Sequence, residues 1–187
     1  MTALLGGAFN PPHLGHVALA QEAARRFGEE VVVVLATDPA HKHVDVPAAT
    51  RLRLVEAAFP ANRVETDAAP RTVDSLRSGR WHDPLLVIGA DQFASFCDWK
   101  EPDAVLELAR LAVAARPGFP DARLADVRAK LRRPERVEFF ELEPIPVSSA
   151  EIRERVARGE PIADLVPEGV GGLIRAEGLY RRRARLD

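Results

Sequence analysis

Short apolar runs alternate with segments of helical period along almost the whole chain. The runs are bounded by charged residues, Gly or Pro, which predicts six strands at 3–5, 31–36, 63–65, 85–88, 111–115 and 137–142. The periodic segments predict seven helices at 14–27, 49–59, 72–77, 102–109, 121–131, 149–158 and 168–177. Strands and helices in this order are typical of βα units. The predicted fold class is therefore α/β, a Rossmann-like doubly wound parallel sheet with helices on both faces.

Length and composition bound the domain organisation. The chain has 187 residues, of which 47% are hydrophobic. That is enough for one good core and too little for two ordinary domains joined by a linker. We expect a single domain over residues 1–187, with the arginine-rich residues 181–187 forming a solvated, frayed tail.

Charge and cysteine content narrow the choice of partners. The chain carries 26 Lys and Arg against 28 Asp and Glu, a formal net charge of −2. No overall field therefore favours polymeric nucleic acid or an anionic membrane, and we expect neither as a partner. The single cysteine, Cys97, and the absence of a basic, apolar leader predict a soluble protein of the reducing cytoplasm. A homo-oligomer is left open.

The segment after the first predicted strand is the strongest functional signal. Gly6-Gly7 allows close approach of the backbone to a ligand, and Asn10-Pro11-Pro12 delays the next helix. His13 and His16 then lie three residues apart at the helix start, where free N–H groups attract anions. This pattern predicts a phosphate-binding turn. A tight turn without a ligand and a structural metal site are the alternatives.

A second candidate anion site lies at residues 147–153. Pro144 and Pro146 keep the preceding chain extended, and Ser148 with Glu151 matches a helix-capping box. Arg153 follows one turn later, so the serine hydroxyls, the helix N-terminus and a guanidinium could together bind phosphate. A well-capped helix with no ligand is the alternative.

These two motifs resemble signatures of the nucleotidyltransferase superfamily that carries the HxGH motif. Residues 6–16 are similar to its GGTFDPxHxGH, and residues 147–153 are similar to its ISSTxIR. Other segments that agree with bacterial nicotinate-nucleotide adenylyltransferases are TVDSL at 72–76, LVIGAD at 86–91, Trp99, ARPG at 115–118, LVP at 165–167 and GLY at 178–180. The resemblance spans nearly the whole chain.

The resemblance implies an enzyme that transfers AMP from ATP to nicotinic acid mononucleotide, with Mg²⁺ on the phosphates and no metal ligand among the side chains. The implied catalytic residues are His13, His16, Lys42 and Arg153, where Lys42 lies in a segment similar to the family's PPHK. The implied ATP contacts are Gly6, Gly7, Ala8, Phe9, His13, His16, Gly89, Asp91, Ser148, Ser149 and Arg153. The implied mononucleotide contacts are Thr72, Asp74, Trp99 and Arg116.

Four positions depart from the family pattern. Ala8 and Ala150 stand where the family has threonine, Asn10 where it has aspartate, and Arg71 where it has tyrosine. Backbone N–H contacts to phosphate survive these changes, so we expect an active site with altered tuning. Three rivals stay open: the same chemistry on nicotinamide mononucleotide or phosphopantetheine, a non-catalytic nucleotide-binding protein, and a structural α/β domain.

Overall fold

A six-stranded parallel sheet organises the protein. The computed structural model describes residues 2–39, 44, 46–115, 121–143 and 145–181. The strands are β1 Thr2–Gly7, β2 Glu30–Ala36, β3 Val64–Asp67, β4 Leu85–Gly89, β5 Arg110–Ala115 and β6 Val137–Glu141. The helices are α1 Leu14–Phe27, α2 Ala48–Ala58, α3 Thr72–Arg77, α4 Ala90–Ala94, α5 Pro102–Leu108, α6 Asp121–Ala129, α7 Ser149–Arg158 and α8 Glu168–Ala176.

The strand order is β3-β2-β1-β4-β5-β6, and every neighbouring pair is parallel. The chain moves outward from β1 to β3, crosses back to β4, and then moves outward on the other side. The switch point therefore lies between β1 and β4, where a doubly wound sheet opens a crevice at the carboxyl ends of its strands. The predicted fold class is confirmed.

Two apolar layers cover the sheet, because successive strand residues point to opposite faces. Leu5 of β1 and Val33 of β2 pack in one layer with buried residues of α1, α2, α7 and α8. Leu4 and Val32 pack in the other layer with buried residues of α3, α4, α5 and α6. The central strands are covered on both faces, which explains their continuous apolar runs.

The structure corrects several predicted boundaries. β1 continues through Gly6 and Gly7, so these glycines end the strand and do not follow it. The helix α4 and the 3₁₀ turn Phe96–Asp98 were missed, because segments of five and three residues are too short to show a helical period. No helix among the described residues is long and apolar enough to cross a membrane.

Candidate active site

The turn after β1 is built around Phe9. Phe9 has a positive φ of 45°, a conformation that non-glycine residues adopt where surrounding contacts fix it. Its side chain is 3% exposed and makes edge contacts with the rings of His16 and Phe59. A Cβ on Gly7 would lie 3.1 Å from Cζ of Phe9, so Gly7 gives this ring its space. The turn is thereby fixed against the start of α1.

The two histidines meet at the N-terminus of α1. His13 is the N-cap, and its backbone N–H donates to Nδ1 of His16 over 3.2 Å. The imidazole rings stack with centroids 3.6 Å apart. Because Nδ1 of His16 accepts a hydrogen bond, the neutral ring carries its hydrogen on Nε2. An Nε2–H at a helix N-terminus is a suitable donor to a phosphate oxygen.

The motif at residues 147–153 forms hydrogen bonds to the turn at residues 6–16. Ser148 is the N-cap of α7 and accepts a hydrogen bond from the Glu151 N–H, as the capping pattern predicts. Ser149 Oγ donates to the Pro11 carbonyl over 2.7 Å, and Arg153 Nη1 donates to the Asn10 carbonyl over 2.7 Å. A guanidinium has five N–H donors, so this contact leaves Arg153 able to bind phosphate as well. That phosphate role stays a prediction.

Tyr180 adds a contact from the far end of the chain. Its hydroxyl donates to Oδ1 of Asn10 over 2.8 Å. Burial raises the pKa of Tyr180 well above its ordinary value, while Arg153 and Arg51 act in the opposite direction, so the phenol stays protonated. Asn10 thus uses both its carbonyl and its side chain to position the turn.

A cavity of about 590 Å³ opens at the switch point. Six of the sequence-predicted site residues line it: Gly6, Gly7, Ala8, Thr72, Asp91 and Trp99. Trp99 also packs against the second apolar layer, and its ring centroid is 5.1 Å from that of Phe96. The turn at residues 6–8 and the indole of Trp99 therefore line one continuous space.

The other described site residues lie outside the cavity lining: His13, His16, Ser148, Ser149, Arg153, Phe9, Gly89 and Asp74. Phe9 lies beneath the turn, and Gly89 is the N-cap of α4, with its N–H donating to the Gln92 side chain. The Asp74 carboxylate lies 2.7 Å from Nζ of Lys100, which is itself a lining residue. Lys42, Arg116 and residues 182–187 fall outside the described residues. Among those described, no group of three or more His, Cys, Asp or Glu could hold a metal ion.

Sequence reasoning assigned no site role to four further residues. Lys100, Trp81 and Arg71 line the cavity, although Arg71 had been noted only as a departure from the family pattern. Arg51 is 2% exposed on α2, where it occupies an apolar position together with Leu54 and Val55. The sequence carried a signal for Arg51, because residues 51, 54 and 55 follow the i, i+3, i+4 spacing of a buried helix face and a charged residue is unusual on such a face.

The doubly wound sheet, with the turn at residues 6–8 and a cavity at its switch point, defines a Rossmann-like α/β protein with a ligand crevice at the carboxyl ends of its strands. The chain belongs to the cytidylyltransferase-like family, whose model matches residues 4–155. A probable nicotinate-nucleotide adenylyltransferase of Rubrobacter xylanophilus is 35% identical over 201 residues, covering 97% of this chain and 92% of the relative. A protein of the same description from Bordetella petrii is 36% identical, with 95% and 97% covered.

Solved structures agree with the fold. The Plasmodium falciparum nicotinic acid mononucleotide adenylyltransferase complexed with NaAD superposes with a TM-score of 0.74 at 15% identity, covering 96% of both chains. The resemblance to nicotinate-nucleotide adenylyltransferases seen in the sequence is confirmed by the curated relatives.

Gly15 offers a test of how closely the histidines must be placed. A Cβ at Gly15 would lie 3.1 Å from Nδ1 of His13 and 3.2 Å from Cγ1 of Val147. We expect Gly15→Ala to shift the His13 ring by a few tenths of an ångström and to lower kcat/KM for ATP by roughly threefold to tenfold. Steady-state kinetics with varied ATP measures this change.

The matched control is Gly172→Ala on α8, where a Cβ would meet no atom within 4 Å. It should stabilise the helix by about 0.5–1 kcal/mol and leave the kinetics unchanged. Unchanged kcat/KM in Gly15→Ala would show that the His13 ring tolerates displacement.

Proposed function

We propose that this protein transfers the AMP moiety of ATP to nicotinic acid mononucleotide, giving deamido-NAD and pyrophosphate for NAD biosynthesis. The cavity carries the proposal, because it joins the turn at residues 6–8 to Trp99 and Thr72 in one continuous space. The curated relatives bear the name of this activity, and they align over almost the entire chain.

The reaction needs positioning and charge stabilisation and no covalent intermediate on the protein. A 5′-phosphate oxygen of the mononucleotide forms a bond to the α-phosphorus of ATP. The bond from that phosphorus to the α,β-bridging oxygen breaks, and pyrophosphate leaves. His13 and His16 donate to the phosphates from the N-terminus of α1 and stabilise the charge that develops there. Mg²⁺ accompanies ATP, held mainly by phosphate oxygens and water.

Two cationic side chains line the cavity together with the indole of Trp99, and the carboxylate of Asp98 lines it as well. The cations are Arg71 and Lys100, and Nζ of Lys100 donates to the Asp74 carboxylate over 2.7 Å. A pyridine ring on the Trp99 face would bring its substituent toward these donors. Cations and N–H donors favour a carboxylate over an amide, since the amide presents a donor to a donor.

Lys100 therefore offers a test of acceptor choice. We expect Lys100→Met to lower kcat/KM for nicotinic acid mononucleotide by about 10–100-fold, because a hydrogen bond to a charged group contributes roughly 1.5–3 kcal/mol. The kcat/KM for nicotinamide mononucleotide should change little. Lys130→Met is the control, since Lys130 is exposed and does not line the described cavity. Equal losses for both acceptors would mean that Lys100 does not discriminate between the acid and the amide.

A panel of acceptors tests the proposed function itself. The purified protein is incubated with Mg-ATP and, in turn, nicotinic acid mononucleotide, nicotinamide mononucleotide and phosphopantetheine, and pyrophosphate release is followed. We expect the acid to be preferred over the amide by about 10²-fold. Equal use of the amide would overturn the assignment of acceptor and leave adenylyl transfer intact. Heat of ATP binding without pyrophosphate release would identify a nucleotide-binding protein.

A further inference from the structure

Arg51 is a buried cation bound only by backbone oxygens within the described part of the chain. Its guanidinium donates to the carbonyls of Val46 over 3.1 Å, Ala8 over 2.8 Å, Ala36 over 2.8 Å and Thr37 over 2.7 Å. Four of its five N–H donors are thus engaged. The side chain is 2% exposed, although it carries a full charge.

These four carbonyls belong to three segments that meet beside the phosphate-binding turn. Ala8 lies in the turn itself, while Ala36 ends β2 and Thr37 follows it. Val46 lies just before α2. Arg51 therefore binds both ends of the connection at residues 37–46 and ties them to the turn. Ala8 and Ala36 also line the cavity, so the guanidinium lies directly behind the cavity wall.

Burying this cation is costly, which calls for a reason to retain it. Desolvation lowers the pKa of Arg51, and the described ion pairs include no carboxylate on this side chain. Carbonyl dipoles offset only part of the cost of removing a guanidinium from water. An apolar residue would continue the buried stripe of α2 formed by Leu54, Val55 and Ala58 without that cost.

We propose that Arg51 is a positioning residue for the nucleoside triphosphate. It sets the turn at Ala8 against Ala36, Thr37 and Val46, so that the turn presents its backbone groups to the phosphates in one arrangement. Its charge, 2.8 Å from the Ala8 carbonyl, also adds positive potential behind the place where the phosphates bind. The inference rests on the proposed function for the identity of the ligand.

Two substitutions separate the charge of Arg51 from its geometry. Arg51→Met keeps length and apolar volume and removes the donors and the charge, whereas Arg51→Lys keeps the charge and loses the planar fork. The control is Arg53→Met on the same helix, whose guanidinium is about half exposed and lies 2.8 Å from Glu177. Each variant is characterised by thermal unfolding, by calorimetric titration with Mg-ATP alone, and by steady-state kinetics with both substrates.

We expect the Arg51 variants to lose kcat/KM for ATP selectively. Arg51→Met should lower kcat/KM for ATP by about 10²-fold, the effect that a displacement of about 1 Å at a reacting group can have. Arg51→Lys should lower kcat/KM for ATP by about tenfold. In both variants the KM for the mononucleotide should stay within about threefold of the parent value. The ratio of the two KM values decides the question, because a merely structural role would lower Tm without moving that ratio.

A folded Arg51→Met protein with an ATP affinity within about threefold of the parent would overturn the proposal. If Arg51→Met does not fold, Arg51→Lys decides, and parental ATP affinity in that variant overturns the proposal equally. A parent protein that releases no pyrophosphate would instead refute the proposed function. The ATP titration would still decide the role of Arg51 in that case, because it needs no acceptor.

Discussion

Replacing His16 by glutamine is expected to lower kcat by at least about 10²-fold while leaving the fold intact, because donors aimed at developing charge contribute about 2.7–4 kcal/mol. His16 occupies the third position of α1, and its Nδ1 accepts the backbone N–H of the N-cap residue His13. Glutamine at that position can accept the same hydrogen bond, as it does in capping boxes. The substitution therefore removes the imidazole and keeps the cap.

Comparison with His16→Ala separates the two roles of this side chain. The alanine variant loses the cap as well, which should cost about 0.5–2 kcal/mol of stability in addition to turnover. Thermal unfolding measures the first loss and initial rates measure the second. His82→Gln is the control, since His82 is exposed in the loop before β4. Near-parental turnover in His16→Gln would contradict the assigned chemistry.

The second large effect is expected on ATP binding, in the variant Arg153→Ala. The guanidinium lies at the junction of α7 with the turn, where it donates to the Asn10 carbonyl. The proposed function assigns its remaining donors to the distal phosphates of ATP, so we expect ATP binding to weaken by about 1.5–3 kcal/mol. The affinity for AMP, which lacks those phosphates, should fall much less. Calorimetric titrations with ATP and AMP measure the two losses separately.

The neighbouring Arg155 supplies the control for Arg153. Its guanidinium pairs with Glu151 at 2.8 Å and lies 3.7 Å from Asp164, on its own helix and the following segment. Arg155→Ala should leave both nucleotide affinities unchanged. Equal losses for ATP and AMP in Arg153→Ala would mean that Arg153 acts only by holding the turn at Asn10 and makes no contact with the outer phosphates.

The fold could be predicted because its central strands are covered on both faces. The run at residues 31–35 is buried from end to end, so its apolar sequence is visible without any structure. In contrast, α4 contributes only Ala90 and Phe93 to the core, and one such pair does not establish a helical period. Boundaries were least predictable where the sequence pattern stops, as at Gly6 and Gly7 in β1.

Positions at the carboxyl ends of β1 and β4 could be predicted to converge, because parallel strands end at one edge of the sheet. The contacts that support the turn could not be predicted from the sequence. Ser149 and Tyr180 reach residues 138 and 170 positions away, and no local pattern encodes such pairing. Asp74 was predicted to contact the mononucleotide, which stays a prediction, and its carboxylate pairs with Lys100, a cavity-lining residue that the sequence pattern did not indicate. Side-chain direction on a six-residue helix is set by packing that the sequence does not display.

The structure also explains how the turn accommodates two departures from the family pattern. Ala8 contributes its carbonyl, which Arg51 binds, and Asn10 contributes a carbonyl that Arg153 binds. Neither backbone contact requires a particular side chain. The hydroxyl that Ala8 lacks is therefore not needed to hold the turn in place, and the altered tuning of the active site stays a prediction.

Stoichiometric product formation by the unmodified protein tests the central claim most directly. The protein is incubated with Mg-ATP and nicotinic acid mononucleotide, and the nucleotides are separated and quantified over time. The account predicts that deamido-NAD and pyrophosphate appear in equal amounts, only when both substrates are present, and at the expense of ATP. Pyrophosphate release without the dinucleotide, or ATP left unconsumed in the presence of the acceptor, would contradict it.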